Sequence, residues 1–270
     1  MKKRRMSPGF TLIEAVVVIV ITGVIAATVG IFVVPPIQAY LDVTRRAELT
    51  DIADTALRRI GRDLRTALPN SIRIASNGGA TYLEFLQTAG GGRYRASPDS
   101  AGGGNVLEFT TAVTAFDVIG PAPALAAGDQ IVVYNLGGGS SESDAYNGNN
   151  RSAFVAFSTP TITIASKQFP FFSPGRRFHV VRQPVTYKCD PVTNELRRYW
   201  GYAITAAQAT PPVTANSALL AQRVTGCDFR YDVSPTPALQ RTGTVSLRIE
   251  LTAAGEKVNL FQQVHVDNTP

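Results

Sequence analysis

Apolar and polar positions follow three regimes along the chain. From Ala15 to Val34 all 20 residues are apolar or small, and no charge occurs between Glu14 and Asp42. As a helix such a run rises about 30 Å, enough to cross the hydrocarbon core of a bilayer. Pro35-Pro36 follows it. Proline removes a helix hydrogen bond and collides with the preceding turn, which predicts a kink there. In the second regime Leu49, Ile52, Ala53, Ala56, Ile60, Leu64, Ala67 and Leu68 recur at three- and four-residue steps. That spacing predicts an amphipathic helix ending at Pro69-Asn70. Asp42 with Arg46, and Asp54 with Arg58, are spaced to pair along its exposed face.

From residue 70 onward the period becomes two. Predicted strands are Ile72–Ile74, Tyr82–Leu86, Val106–Phe109, Ile131–Tyr134, Phe154–Phe157 and Thr161–Ile164. Further strands are Phe178–Val181, Val185–Lys188, Leu196–Tyr199, Asp228–Val233, Val245–Leu251 and Val258–Val266. Glycine runs at 90–92, 102–104 and 137–139 read as separators, and Ser217–Arg223 as a short helix. The fold class is α+β. A long N-terminal transmembrane helix (10–68, with 10–36 in the membrane), kinked near Pro35-Pro36, lays its second half on a C-terminal antiparallel β-rich globular head (69–270).

Charge adds topology. Of a formal net charge of 26 − 20 = +6, Lys2, Lys3, Arg4 and Arg5 supply four, leaving 22 − 20 = +2 after Gly9. Basic residues before an apolar span keep that end in the cytoplasm. The head is then exported, and the high pI is weak evidence for nucleic acid, so no nucleic-acid partner is expected. Arg58, Arg59, Arg62 and Arg65 lie among acids without interleaved aromatics. They fit a solvated or inter-subunit ion-pair face better than a DNA site. An exported head meets an oxidising compartment, where Cys189 and Cys227 can persist as a disulfide; two buried free thiols are the other reading.

Chemistry-bearing patterns are sparse, and no catalytic residues, metal site or cofactor are expected. His179 and His265 sit in predicted strands without a cluster of ligand-type neighbours. The glycine triplets neither precede a lysine nor open a helix, so phosphate-loop fingerprints are absent. Residues 140–150 are rich in oxygen donors that suit calcium, but their spacing does not match an EF-hand loop.

Glu14 is the anomaly. A carboxylate at the edge of an uncharged apolar run is costly in lipid and needs a partner, and none lies nearby in its own chain. A plain anchor, or a secretory signal removed after the apolar run, leaves it unexplained. Cleavage after Gly9 would create an α-ammonium on Phe10 that could pair with Glu14 of a neighbouring copy.

The basic leader, Gly9, Phe10-Thr11-Leu12-Ile13-Glu14 and the apolar helix together resemble the type IV prepilin signal. The resemblance implies a 1–9 leader, cut between Gly9 and Phe10 by a prepilin peptidase that also N-methylates Phe10. It implies that Glu14 guides assembly. Leu64–Arg73, Gly175-Arg176-Arg177-Phe178, Pro184–Cys189, Tyr199-Trp200-Gly201-Tyr202, Val224–Cys227 and Gln263–Pro270 are similar to the MshO-type minor pilins of the mannose-sensitive haemagglutinin (MSHA) pilus. A more distant likeness is to the J-type minor pseudopilin of type II secretion. Both imply a non-enzymatic component that initiates or caps a filament, first in the inner membrane with a periplasmic head, then at the cell surface. Its partners would be other minor and major pilins and the inner-membrane assembly platform. A filament-borne adhesin or DNA-capturing tip pilin is the alternative.

Overall fold

The computed structural model describes residues 9–137, 142–233 and 242–270. The chain divides after Glu48 into two compact units. In the first, helix α1 spans Leu12–Phe32 and buries none of its residues. Helix α2 (Val34–Leu64) begins after a break at Val33. Pro35 and Pro36 have no N–H for the carbonyls of Ile31 and Phe32, and the helical bonds that survive run from Val33 to Val29 and, stretched to 3.4 Å, from Ile37 to Val33. Asp42 pairs with Arg45, three residues on, at 3.0 Å.

The second unit, Leu49–Pro270, is one long helical stretch packed on antiparallel sheets. Leu49, Ala53, Ala56, Leu57, Ile60 and Leu64 of α2 are buried on one face, as the three-and-four spacing requires. Asp54 and Arg58 pair at 2.7 Å on the opposite face.

The helix stops at Leu64, short of Leu68. Thr66 and Ala67 bond back to the carbonyls of Asp63 and Leu64, tightening the last turn. The chain then joins a strand: Leu68 N–H donates to Leu86 O, and Thr88 N–H to Thr66 O. Sheet pairing captures Ala67 and Leu68 before another helical turn can form.

Two long strands organise the head. Strands β1 (Arg73–Asn77) and β2 (Ala80–Tyr94) form a hairpin, and β2 runs antiparallel to β7 (Arg177–Asp190) along most of its length. Between them in sequence come β3 (Val113–Ile119), β4 (Gln130–Val132), β5 (Arg151–Ser158) and β6 (Thr161–Lys167). After them come β8 (Glu195–Trp200), β9 (Asn216–Gln222), β10 (Val224–Val233), β11 (Thr242–Ala253) and β12 (Glu256–Asp267).

The nine-stranded sheet has the order β1-β2-β3-β6-β5-β4-β7-β8-β9, and β2 also pairs with β7. The pairings β2-β3-β6-β5-β4-β7 therefore return to β2 and close a small barrel of six strands. One end of β2 and β7 belongs to the sheet under the helix, and the other end to the barrel.

Each part has its own core. Around α2, Phe85, Tyr187, Val185, Leu196, Leu247 and Ile249 close one cluster, with contributions from the β10-β11-β12 sheet. Inside the barrel, Tyr94, Phe116, Ile131, Ile162, Phe169 and Phe178 form a second.

Four further sequence expectations change. The Gly90–Gly92 run lies within β2 instead of separating strands. Gly90 takes φ +153° at a register shift, and a Cβ at Gly91 would lie 2.7 Å from the Phe178 carbonyl oxygen, so only glycine lets the strands approach. Phe178–Val181 and Val185–Lys188 are one strand, β7, because Pro184 fits opposite Leu86 next to that irregular register. Ser217–Arg223 is not helical; it falls on β9, where the edge of β8 offers more pairing than seven residues gain as an isolated helix. Val106–Phe109 is no strand, although Leu107 N–H reaches Arg95 O, while Val113–Ile119 is one.

Candidate functional site

The N-terminal motif is a helix start. Thr11 is the N-cap of α1, with extended backbone at φ −83° and ψ 151°. Its Oγ1 accepts from Glu14 N–H at 3.3 Å, and Glu14 Oε2 accepts from Thr11 N–H and the Thr11 hydroxyl, each at 2.9 Å. This reciprocal pair is a capping box, which satisfies donors that the first helical turn leaves open. It corrects the expectation that Glu14 has no partner nearby in its own chain: Thr11 supplies two donors, though no cation. The signal was in the sequence, as a threonine three residues before a glutamate at the head of an apolar run.

Gly9 and Phe10 precede the cap. Phe10 is 78% exposed, and a Cβ on Gly9 would meet nothing within 4 Å. Residues 2–5, which carry the four N-terminal basic charges, lie outside the described residues. Among the described residues, one helical stretch near the N-terminus is long and apolar enough to cross a membrane. The Val, Ile and Phe side chains of α1 are exposed throughout.

In the head, Cys189 on β7 and Cys227 on β10 form a disulfide with Cα atoms 6.3 Å apart. It links the nine-stranded sheet to the three-stranded sheet. A second tie was not read from the sequence. Asp63 of α2 accepts from Arg198 Nε at 2.7 Å and from the Tyr187 hydroxyl at 2.8 Å, all within the core. Arg59 approaches the same carboxylate at 3.4 Å. Burial, then the Asp63 charge, holds the Tyr187 phenol well above its ordinary pKa.

The remaining candidates resolve into structural roles or open surface. His265 Nδ1 lies 3.3 Å from Thr244 Oγ1 on the neighbouring strand. His179 on β7 is mostly buried, and its Nε2 has no hydrogen-bond partner. Burial, with Arg177 beside it, lowers its pKa to about 4, so the ring is neutral at pH 7. In the oxygen-rich loop, Ser140 and Ser141 lie outside the described residues; Asp144 Oδ1 accepts from Tyr146 N–H, and Asn150 Nδ2 donates to Asn135 Oδ1. Among the described residues no group of three or more His, Cys, Asp or Glu could hold a metal.

Residues 4–30 match the family described as the prokaryotic N-terminal methylation motif. No curated protein and no solved structure matches the chain. The motif supports a type IV pilin-like protein, fits a membrane-anchored chain with one apolar N-terminal helix, and points to a structural role rather than an enzymatic one. It implies processing by a prepilin peptidase and association with other pilins.

Proposed function

We propose that this chain is a minor pilin of MSHA type that helps to initiate or cap a type IV pilus. The observation that carries the reading is the block Gly9-Phe10-Thr11-Leu12-Ile13-Glu14 heading an exposed apolar helix that in turn leads into a β-rich head. The basic leader holds the N-terminus in the cytoplasm, where the peptidase cuts between Gly9 and Phe10 and methylates Phe10. The 69–270 head is delivered to the periplasm, which suits its disulfide. Glu14, placed one helical turn from the new terminus, pairs with the α-ammonium of a neighbouring subunit's Phe10 as the helix enters the filament. The inner-membrane assembly platform and the other pilins are the partners. The MSHA assignment, in preference to a type II secretion pseudopilin, rests on Leu64–Arg73, Gly175–Phe178, Pro184–Cys189, Tyr199–Tyr202, Val224–Cys227 and Gln263–Pro270 taken together.

The test has two parts. Mass analysis of the N-terminus of the membrane form should give a chain starting at methylated Phe10; an intact Met1, or a start after Gly30, overturns the pilin reading. Affinity purification of the full-length chain from a cell carrying both machineries should recover MSHA pilins. Recovery of secretion pseudopilins alone overturns the MSHA assignment.

A further inference from the structure

We propose that a basic groove on the barrel side of the head binds an acidic polysaccharide. Three clefts there share walls. The first, about 500 Å³, is lined by Gly91, Gly92, Arg93, Ile119, Pro121 and Arg177, among others. The second, about 240 Å³, shares Arg93 and Ile119 with it. The third, about 390 Å³, shares Tyr94 and Arg176 with the second and reaches Phe109 and Phe172. Through these shared residues the three adjoin one another on one side of the barrel.

The strand register explains the charge. Arg93 on β2 and Arg177 on β7 are direct cross-strand partners, and such partners project from the same face. Like charges opposed in this way cost stability, so a structural role would call for a carboxylate between them. None is there. Among the described residues Arg93, Arg176 and Arg177 make no side-chain hydrogen bond or ion pair. Arg95, two residues from Arg93, is by contrast held by Asp117 at 3.2 Å. Gly91 and Gly92 add no side chains to the cleft between Arg93 and Arg177, and packing against Phe178 bars larger residues there. Two planar guanidinium groups over bare backbone can grip a carboxylate or sulfate in bidentate fashion.

The rest of the groove selects the class of anion. Phe172, 65% exposed and edge-on to Phe109, lies at one end only. A single-stranded nucleic acid needs stacking rings along its path. Tyr94 and Phe178 also line the groove, but both are buried in the barrel core and offer no face for a base to stack on. Glu108 lines the aromatic end, where it would repel phosphates. An acidic glycan fits better: its acid groups are met by arginines, its hydroxyls by Glu108, and the apolar face of a sugar ring by Phe172. The formal charge of only +2 after Gly9 means that a general field would not supply the binding; the local arrangement has to. The inference stands whether or not the chain enters a filament.

The experiment uses the full-length chain in detergent with its disulfide intact. Binding is measured to a polygalacturonate oligomer, to neutral dextran, and to a single-stranded oligonucleotide of matched charge, at low and high salt. We expect selective binding of the polyuronate that weakens with salt. Arg93→Glu with Arg177→Glu should weaken it by about tenfold or more. Phe172→Ala should weaken it by about threefold, and Arg62→Glu, on α2, should leave it unchanged. Arg93→Gln and Arg177→Gln, milder changes at exposed positions, should each lower affinity without lowering the melting temperature. Absence of polyuronate binding, equal binding of dextran, tighter binding of the oligonucleotide, or an equal loss with Arg62→Glu would each overturn the proposal.

Discussion

Asp63 Oδ2 of α2 lies 2.7 Å from Arg198 Nε of β8, with both side chains only 10% exposed. This ion pair fastens the C-terminal turn of the helix to the sheet, and Tyr187 donates a further hydrogen bond to the same oxygen. Arg198 also sits over the Trp200 ring, 5.1 Å from its centre. Removing one member of a buried pair leaves the other charge uncompensated, at a cost of about 3–5 kcal/mol. Asp63→Ala should therefore destabilise the head by about that amount in urea unfolding. Asp63→Leu combined with Arg198→Met should recover much of the loss. If the double variant is as unstable as the single, the pair is not what the helix end depends on.

That tie shows where sequence reading stops. The stripe from Leu49 to Leu64 is legible because helical burial has a short period, and each member announces the next. Asp63 is equally buried, but nothing local distinguishes it from the solvated acids around it; its partners lie 124 and 135 residues away. The barrel was hidden for a related reason. Strands β3 to β6 are legible or not by local alternation, but their closure depends on β2 and β7 pairing with each other as well as with β3 and β4; Gly90–Gly92 made β2 look as if it ended early, and Pro184 made β7 look like two pieces. The N-terminal motif was the most legible part, since a carboxylate at the edge of an apolar span stands out whatever the fold.

Cys189 and Cys227 enclose a separation of 38 residues and hold two sheets together. On the chain-entropy model, closing such a loop stabilises by about 4 kcal/mol. Cys227→Ser should lower the urea midpoint accordingly, with little change at positions remote from β7 and β10. Unreduced mass analysis of the wild type should show no thiol reactive after unfolding.

The groove glycines carry a steric prediction that needs no ligand. A Cβ at Gly91 would stand 2.7 Å from the backbone oxygen of Phe178, which cannot rotate away. Gly91→Ala should thus cost about 1–3 kcal/mol through displacement of β2 from β7. A melting temperature equal to wild type would show that the strands yield more readily than their pairing indicates.

His179 gives the head a pH dependence. Its folded pKa, about 4, lies below the ordinary value of 6.5 because burial and Arg177 disfavour the cation, against a smaller opposing pull from Asp267. The unfolded chain therefore binds a proton first as pH falls. The stability contribution is complete above about pH 6.5 and is lost progressively toward pH 4, on the order of 3 kcal/mol in all. His179→Asn should flatten this part of the stability curve. An unchanged slope between pH 6.5 and 4 would assign the acid sensitivity to other groups.

The capping box at Thr11 and Glu14 allows two roles of the same carboxylate to be separated. Within one chain Glu14 closes the helix start through Thr11. In the proposed filament it also meets the α-ammonium of a neighbouring Phe10. Thr11→Val removes the hydroxyl of the cap, a loss of about 1 kcal/mol for the helix start, but keeps the charge. Glu14→Gln keeps a side chain that can still accept from the Thr11 N–H, but loses the charge. Glu14→Leu loses both. None of the three touches Gly9, so cleavage and membrane insertion should survive in all. If the carboxylate acts by pairing between subunits, incorporation into filaments should fall about tenfold or more for Glu14→Gln and Glu14→Leu, because each leaves a neighbour's cation unpaired. Thr11→Val should stay near wild type. The measurement is co-purification with other pilins from sheared filaments at equal expression, alongside mass analysis of the N-terminus. Loss of incorporation in Thr11→Val together with normal incorporation of Glu14→Gln would reverse the assignment. Glu14 would then be a cap for its own helix and not a contact between subunits.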